Sequence, residues 1–197
     1  MFKNKFFVII FIFGIFGIIF YSLSSSESYL ETVIKQRATF EQNLMQEKDS
    51  PIKNLNDFSG IKYFEADKNF IVDADFKAIT SSEKGMILMT DSTQSEMKKA
   101  GNVTFSIDGK SFTLSLFDEG EIFLLPFRDL TNGKETYGGG RFININKDKL
   151  QANKIEIDFN NAHNFYCAYN ENFICPIPPK ENFVGVTIRA GEKKYKE

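Results

Sequence analysis

The stretch NVTFSIDGKSFTLSL, from Asn102 to Leu116, decides the fold class. Apolar and polar side chains alternate on both sides of Asp108 and Gly109. An Asp-Gly pair between two alternating segments is a strong hairpin signal, because the tight turn that matches strand twist needs a positive φ at both central positions. The stretch therefore predicts two antiparallel strands joined by a two-residue turn.

Other segments of strand length lie on both sides of this hairpin. Residues 70–78 alternate between apolar and polar side chains, as a half-buried strand does. We therefore expect a mainly β domain of about eight or nine strands, built as an antiparallel sandwich or a partly closed barrel. The chain has 22 phenylalanines and no tryptophan, which predicts a core built largely on phenylalanine. The remaining predicted strands are Met86–Thr90, Glu121–Pro126, Arg141–Ile145, Lys154–Phe159 and Phe183–Ile188.

An apolar run near the N-terminus, from Phe6 to Phe20, predicts a membrane segment within residues 1–23. Lys3 and Lys5 precede the run, and this charge asymmetry places the N-terminus in the cytoplasm and the rest of the chain outside. The run is close to the minimum length of a spanning helix. Both an uncleaved single-span anchor and a cleaved signal peptide, which would leave a secreted or periplasmic protein, are therefore open.

Residues 24–48 predict an amphipathic helix. Ser24 with Glu27, and Ser28 with Glu31, each have the spacing of a capping box, and apolar residues then recur at helical intervals. Pro51 ends the pattern, since the residue before a proline is disfavoured in the helical region. This helix either stands the domain off the membrane or packs back onto it. Residues 49–197 form the β-rich domain.

The charge balance argues against a nucleic-acid partner. The chain has 24 basic and 26 acidic residues, with a formal net charge of −2. A weakly acidic protein gives no electrostatic reason to bind phosphate backbones. The expected partners are instead the membrane, through the N-terminal helix, and a small-molecule or anionic ligand.

The candidate ligand site lies in the 137–182 region. Three successive glycines before Arg141 could form a concave turn whose N–H groups, with the guanidinium, bind an anion. A β-bulge or a close strand crossing explains the same glycines. Aromatic and amide side chains in this region suit a sugar or a flat ring, and loop packing explains them too. The candidate ligand-binding residues are Tyr137, Gly138, Gly139, Gly140, Arg141, Asp158 and Asn160.

Asp158 and Arg141 also support an enzyme hypothesis, a hydrolase with Arg141 as a clamp for an oxyanion or a phosphate. Asp158 lies between two apolar residues and would face away from what they cover. If Asp129 and Asp158 worked together as a catalytic acid and base, their two carboxyl groups would have to face one cleft. The structural alternatives are a turn at Asp129 and an ion pair between Arg141 and Asp158.

Cys167 and Cys175 are the two cysteines of the chain. In an oxidising compartment they predict a disulfide, whose short loop is worth on the order of 2.5 kcal/mol. Two packed thiols and a metal site with His163 as third ligand are the alternatives. Zinc sites commonly use cysteines only about two to four residues apart. We therefore take the pair as a candidate disulfide and assign no metal ligands.

Five motifs carry a resemblance to a known family. They are SPIKNL from Ser50, YFEAD from Tyr63, LPFRDLTNGKETYGGGRFININ from Leu125, DFNNAHNFYCAYNENFICPIPPKEN from Asp158 and IRAGE from Ile188. In order and spacing they resemble the domain of unknown function 1684 family, from about Thr32 to Glu192. The resemblance implies an exported or membrane-anchored bacterial protein and carries no activity with it. Family members usually have a tyrosine at the position of His163.

We therefore expect a membrane-anchored extracytoplasmic protein that binds a ligand in its 137–182 region. A hydrolase that uses Asp158 and Arg141, and a structural scaffold in a cell-envelope complex, are the alternative functions. The sequence names no cofactor.

Overall fold

The computed structural model describes residues 29–54, 56, 58–79 and 84–195. The predicted membrane segment lies outside these residues. Within them, no helix is both long and apolar enough to cross a membrane. A helix, α1, covers 29–46, inside the predicted range of 24–48. The chain divides into two compact units between Phe40 and Glu41, and every strand below belongs to the second unit.

Eight strands in the described residues form one sheet, whose main path has the order β6-β5-β4-β3-β1-β7. Neighbours along this path are antiparallel. β2 pairs with β3, and the short β8 runs parallel to β5. The two ends of the path, β6 and β7, approach each other, so the sheet is a nearly closed barrel. The strands are β1 (Ile71–Ala78), β2 (Lys84–Leu88), β3 (Gln94–Ile107), β4 (Lys110–Glu119), β5 (Ile122–Asp129), β6 (Arg141–Asn146), β7 (Lys154–Asp158) and β8 (Phe183–Val184).

The predicted hairpin is confirmed as β3 and β4. Ile107 pairs with Lys110, and the two turn residues have φ values of 50° at Asp108 and 69° at Gly109. A positive φ at both positions is the turn geometry that matches strand twist. The apolar residues of the hairpin face inward, with Val103 and Leu114 fully buried.

The core fills the inside of the barrel, and phenylalanine rings form much of it. The ring of Phe159 packs edge-on against Phe127, with centroids 5.2 Å apart, and lies 5.7 Å from the ring of Phe105. Side chains from β3, from β5 and from the residue after β7 therefore pack together.

A smaller apolar cluster on the outer face of the sheet anchors the segment that follows β7. Phe142 exchanges two backbone hydrogen bonds with His163, both 2.9 Å long. Its ring also stacks on Phe165 with centroids 3.6 Å apart. These contacts hold the start of the 162–182 loop against β6.

The predicted strand Phe183–Ile188 forms only in part, because β8 ends at Val184. Beyond it the backbone bends at Gly185 and Val186, and the segment that follows contacts a buried ion pair. The N–H of Ile188 donates to the carboxylate of Asp129, and the carbonyl oxygens of Ile188 and Ala190 accept from Arg141.

Candidate functional site

Arg141 is the first residue of β6, and its side chain is fully buried. Nη2 donates to Asp129 Oδ1 at 3.2 Å and to the carbonyl oxygen of Ile188 at 2.8 Å. Nη1 donates to the carbonyl oxygens of Ala190 and Glu192. Burial lowers the pKa of the guanidinium, and the charge of Asp129 opposes that shift. Arg141 thus binds the protein's own oxygen atoms instead of facing an open cleft.

The partner of Arg141 is Asp129, whereas the sequence analysis paired it with Asp158. The buried carboxylate of Asp129 also accepts hydrogen bonds from the hydroxyl of Thr131, at 2.8 Å, and from the N–H of Ile188, at 2.8 Å. The predicted role of Asp129 in a turn is therefore only part of its role. The carboxylate joins that turn to the C-terminal segment.

Asp158 and Asn160 organise the corner after β7. The carboxylate of Asp158 accepts hydrogen bonds from the N–H of Asn160, at 2.9 Å, and from the side-chain amide of Asn161, at 3.0 Å. Asn160 is fully buried and exchanges two hydrogen bonds with the backbone of Asp67. These contacts tie distant parts of the chain together.

The triple glycine forms a tight turn in which the N–H of Gly140 donates to the carbonyl oxygen of Tyr137 at 3.1 Å. Gly140 has a φ of 100°, and a Cβ there would lie 2.5 Å from Cγ of Pro178. A Cβ on Gly139 would collide with the ring of Tyr137. The glycines therefore allow a close approach of two chain segments, which is the second of the interpretations that the sequence left open.

Tyr137, Cys167 and Cys175 come together beside this turn. The hydroxyl of Tyr137 and the thiol of Cys175 are both hydrogen-bonded to Cys167 Sγ. The N–H of Cys167 donates to Cys175 Sγ at 3.2 Å. Both cysteines are buried free thiols in this structure, and their predicted disulfide in an oxidising compartment stays a prediction.

The two thiols differ in acidity. The hydrogen bond from Cys175, assisted by that from Tyr137, lowers the pKa of Cys167 to about 7, although burial opposes the shift. The pKa of Cys175 is raised, first by its hydrogen bond to Cys167 and then by burial. Burial and the contact with Cys167 also raise the pKa of Tyr137. At neutral pH the arrangement favours a thiolate on Cys167, with protonated partners around it.

A cavity of about 270 Å³, called here the thiol cavity, opens beside this group. Thr90, two residues after β2, lines the cavity, and its N–H donates to the carbonyl oxygen of Cys175 at 2.9 Å. The hydroxyl of Thr90 in turn accepts from the N–H of Cys175 at 3.0 Å. The cavity is lined by Thr90, Asp91, Tyr137, Cys167, Glu171, Phe173 and Ile174.

A second cavity, the amide cavity, has a volume of about 590 Å³. Its walls come from three parts of the second unit, namely 51–54 with Ser59, 169–172, and Tyr195. Glu171 lines both cavities, so the 169–172 segment borders each of them. The amide cavity presents Asn54, Asn170 and Asn172 together with two tyrosine rings.

A profile of the family described as "Protein of unknown function (DUF1684)" matches residues 56–193. The chain belongs to the DUF1684 family. The match confirms the resemblance drawn from the five motifs.

A solution NMR structure of an uncharacterized protein from gene locus rrnAC0354 of Haloarcula marismortui is similar to this DUF1684 chain. The two share 29% sequence identity and superpose with a TM-score of 0.69. The alignment covers 86% of this chain and 96% of that chain. Comparison with curated proteins finds no significant match.

In this DUF1684 domain a buried carboxylate contacts the wall of the amide cavity through Tyr169, and no sequence pattern predicted it. Glu192 is fully buried and accepts hydrogen bonds from the hydroxyl of Tyr169, at 2.6 Å, and from the side-chain amide of Asn164, at 2.7 Å. Burial raises the pKa of Glu192 to about 7, although these hydrogen bonds oppose the shift. Glu192 lies in a C-terminal sequence rich in charged residues, which is typical of an exposed segment. No local pattern therefore indicates that it is buried.

His163 does not assemble a metal site with the cysteines. Burial lowers the pKa of its imidazole to about 4, and its backbone pairs with Phe142. Among the described residues, no group of three or more histidine, cysteine and acidic side chains is arranged to hold a metal ion.

Proposed function

We propose that this protein is a membrane-anchored extracytoplasmic module that binds a small, neutral, polar ligand of the saccharide type in the amide cavity. The observation that carries the proposal is the lining of that cavity, where three asparagines and two tyrosines converge from separate parts of the chain. Amide groups offer paired donors and acceptors to hydroxyl groups, and tyrosine rings offer faces to the apolar side of a sugar ring. Small-molecule sites typically have volumes of about 300 to 1,000 Å³, and this cavity lies within that range.

Charge argues for a neutral ligand over an anionic one. Arg141, the predicted anion contact, is buried and engaged by protein oxygen atoms. The charged residues of the cavity wall are Lys53 and Glu171, which have opposite signs. A ligand with strong charge of either sign would therefore meet one repulsive neighbour.

The wall is preorganised on the side of the 169–172 segment. The hydroxyl of Tyr169 is held by Glu192 at 2.6 Å, and the ring of Tyr195 packs edge-on against the ring of Tyr169 with centroids 5.1 Å apart. Asn170 Oδ1 accepts from the N–H of Asn172 at 3.0 Å, which fixes the turn between them. A wall that is ordered before binding loses less entropy when the ligand arrives.

The membrane location rests on the N-terminal sequence, with Lys3 and Lys5 before the apolar run. The hydrolase alternative loses its support, because Arg141 and Asp158 have separate structural partners.

The binding proposal is tested by NMR titration of the full 197-residue chain with a panel of neutral mono- and oligosaccharides. We expect saturable shifts at the amide-cavity residues. Asn172→Ala should weaken binding about tenfold, the value of one lost hydrogen bond of about 1.4 kcal/mol. Asn144→Ala is the matched control, since Asn144 is exposed on β6 outside both cavities. Absence of saturable shifts with the whole panel, or equal effects of the two substitutions, would refute the proposal.

A further inference from the structure

We propose that Cys167 and Cys175 form a reactive thiol pair that reduces small neutral hydroperoxides, with Cys167 as the attacking group and Cys175 as the resolving thiol. Cys167 lies in the wall of the thiol cavity, and Cys175 contacts it from the protein side. Both residues are free thiols, and the N–H of Cys167 donates to Cys175 Sγ at 3.2 Å, which holds the second thiol beside the first. The pair is separate from the saccharide site proposed above.

The surroundings assign different roles to the two cysteines. The hydrogen bond from Cys175 lowers the pKa of Cys167, which favours its thiolate, and Cys167 is the cysteine that lines the cavity. Cys175 keeps its proton, because its pKa is raised. A low-pKa cysteine at an access route, with a second thiol beside it, is the arrangement that reacts reversibly with oxidants.

The cavity selects the class of oxidant. Asp91 and Glu171 line it, and their negative charges disfavour anionic disulfides and anionic peroxides. The volume of about 270 Å³ limits the substrate to a small molecule.

Tyr137 favours a peroxide over a disulfide substrate. Its hydroxyl contacts the Cys167 side chain and lines the same cavity, so it can donate to a peroxide bound beside Sγ, and its raised pKa keeps it protonated. A leaving oxygen needs such a donor, since the pKa of water is about 15.7. A leaving thiolate, with a thiol pKa of about 8.5, does not need one.

The reaction balances without a further oxidant. The thiolate of Cys167 attacks one oxygen of the hydroperoxide, the S–O bond forms and the O–O bond breaks, and Cys167 becomes a sulfenic acid. The leaving alkoxide or hydroxide takes the proton of Tyr137, and water returns to Tyr137 the proton that Cys167 released on ionisation.

The thiol of Cys175 then attacks the sulfenic sulfur, and the S–S bond forms as a water molecule leaves. In total, two thiols and one hydroperoxide give a disulfide, an alcohol or water, and water. A dithiol reductant restores both thiols by exchange.

The test uses the full 197-residue chain, reduced, freed of reductant and treated with an equimolar amount of hydrogen peroxide. We expect the mass of an intramolecular disulfide, formed at pH 7 about tenfold faster than in the same protein unfolded in urea, because the folded chain has the larger thiolate fraction. In Cys175→Ser, dimedone should trap a sulfenic acid on Cys167. In Cys167→Ser, Cys175 should stay unmodified on that time scale.

Tyr137→Phe should slow the oxidation about tenfold, the cost of one hydrogen bond to a charged group. Tyr166→Phe is the matched control, since the Tyr166 hydroxyl donates to Glu47. If Tyr137→Phe fails to fold, the comparison of the two cysteine variants decides the test.

Three results would overturn the proposal. The first is equal trapping on Cys167 and Cys175 in the single variants. The second is a rate in the folded protein no higher than in the urea-unfolded chain. The third is a disulfide that excess dithiothreitol leaves intact in the native protein, because the pair would then be a permanent structural link.

Discussion

Replacing Arg141 with glutamine leaves the carboxylate of Asp129 buried without its cationic partner. Arg141 and Asp129 both have fully buried side chains, with 3.2 Å between Nη2 and Oδ1. The substitution also removes the donors to the carbonyl oxygens of Ile188 and Ala190. Removal of one partner from a buried ion pair costs about 3 to 5 kcal/mol, because the other charge is left uncompensated.

In a domain of this size each kcal/mol lowers the melting temperature by about 2 to 4 °C. The expected loss for Arg141→Gln is therefore on the order of 10 °C. Urea unfolding followed by circular dichroism measures the free energy of unfolding directly, and an unchanged m value would show that the same surface is exposed in both proteins.

Arg189→Gln is the matched control. Arg189 pairs with Glu135 at 2.9 Å, and its side chain is 62% exposed. Solvent screens such a pair, so its loss should leave the melting temperature unchanged within error. If Arg141→Gln were as stable as Arg189→Gln, the buried ion pair would not organise the C-terminal segment, and Arg141 would again be a candidate for ligand binding.

Three further predictions follow from other parts of the molecule. The pKa of Glu192 is raised from 4.5 to about 7 in the folded protein, so the folded state holds a proton that the unfolded state releases between these values. Stability should fall as the pH rises through this window, and urea midpoints should show a flatter slope for Glu192→Gln. Gly140→Ala should cost about 1 to 3 kcal/mol in the same assay, because its Cβ would meet Pro178, whereas Gly185→Ala, with neighbours at 3.8 Å, should cost much less. A reporter that is active only in the cytoplasm should be silent when fused after Glu197, and an active fusion would contradict the proposed topology.

The sequence alone determined the local architecture of the sheet. The alternation of apolar residues around Asp108 and Gly109 predicted the β3–β4 hairpin, because the turn geometry and the side-chain period are both properties of neighbouring residues. Five motifs in order also determined the family, which the match over 56–193 confirms. Between a sandwich and a barrel the sequence left the choice open, since closure depends on how β6 and β7 approach each other.

Only the tertiary structure decided which polar groups meet. The sequence predicted Asp158 as the partner of Arg141, whereas the fold pairs Arg141 with Asp129, two residues beyond its β5 neighbour Phe127. Glu192 became a buried acid because the C-terminal segment crosses the 162–164 corner, a contact that no local pattern encodes.

The two cavities follow the same rule. Their walls join segments that are far apart in the chain. Hydrophobic periodicity and turn signals describe only a few neighbouring residues, so they cannot predict which distant segments meet. Interactions between neighbouring residues therefore determined the strands, and long-range packing determined which polar side chains and cavities come together.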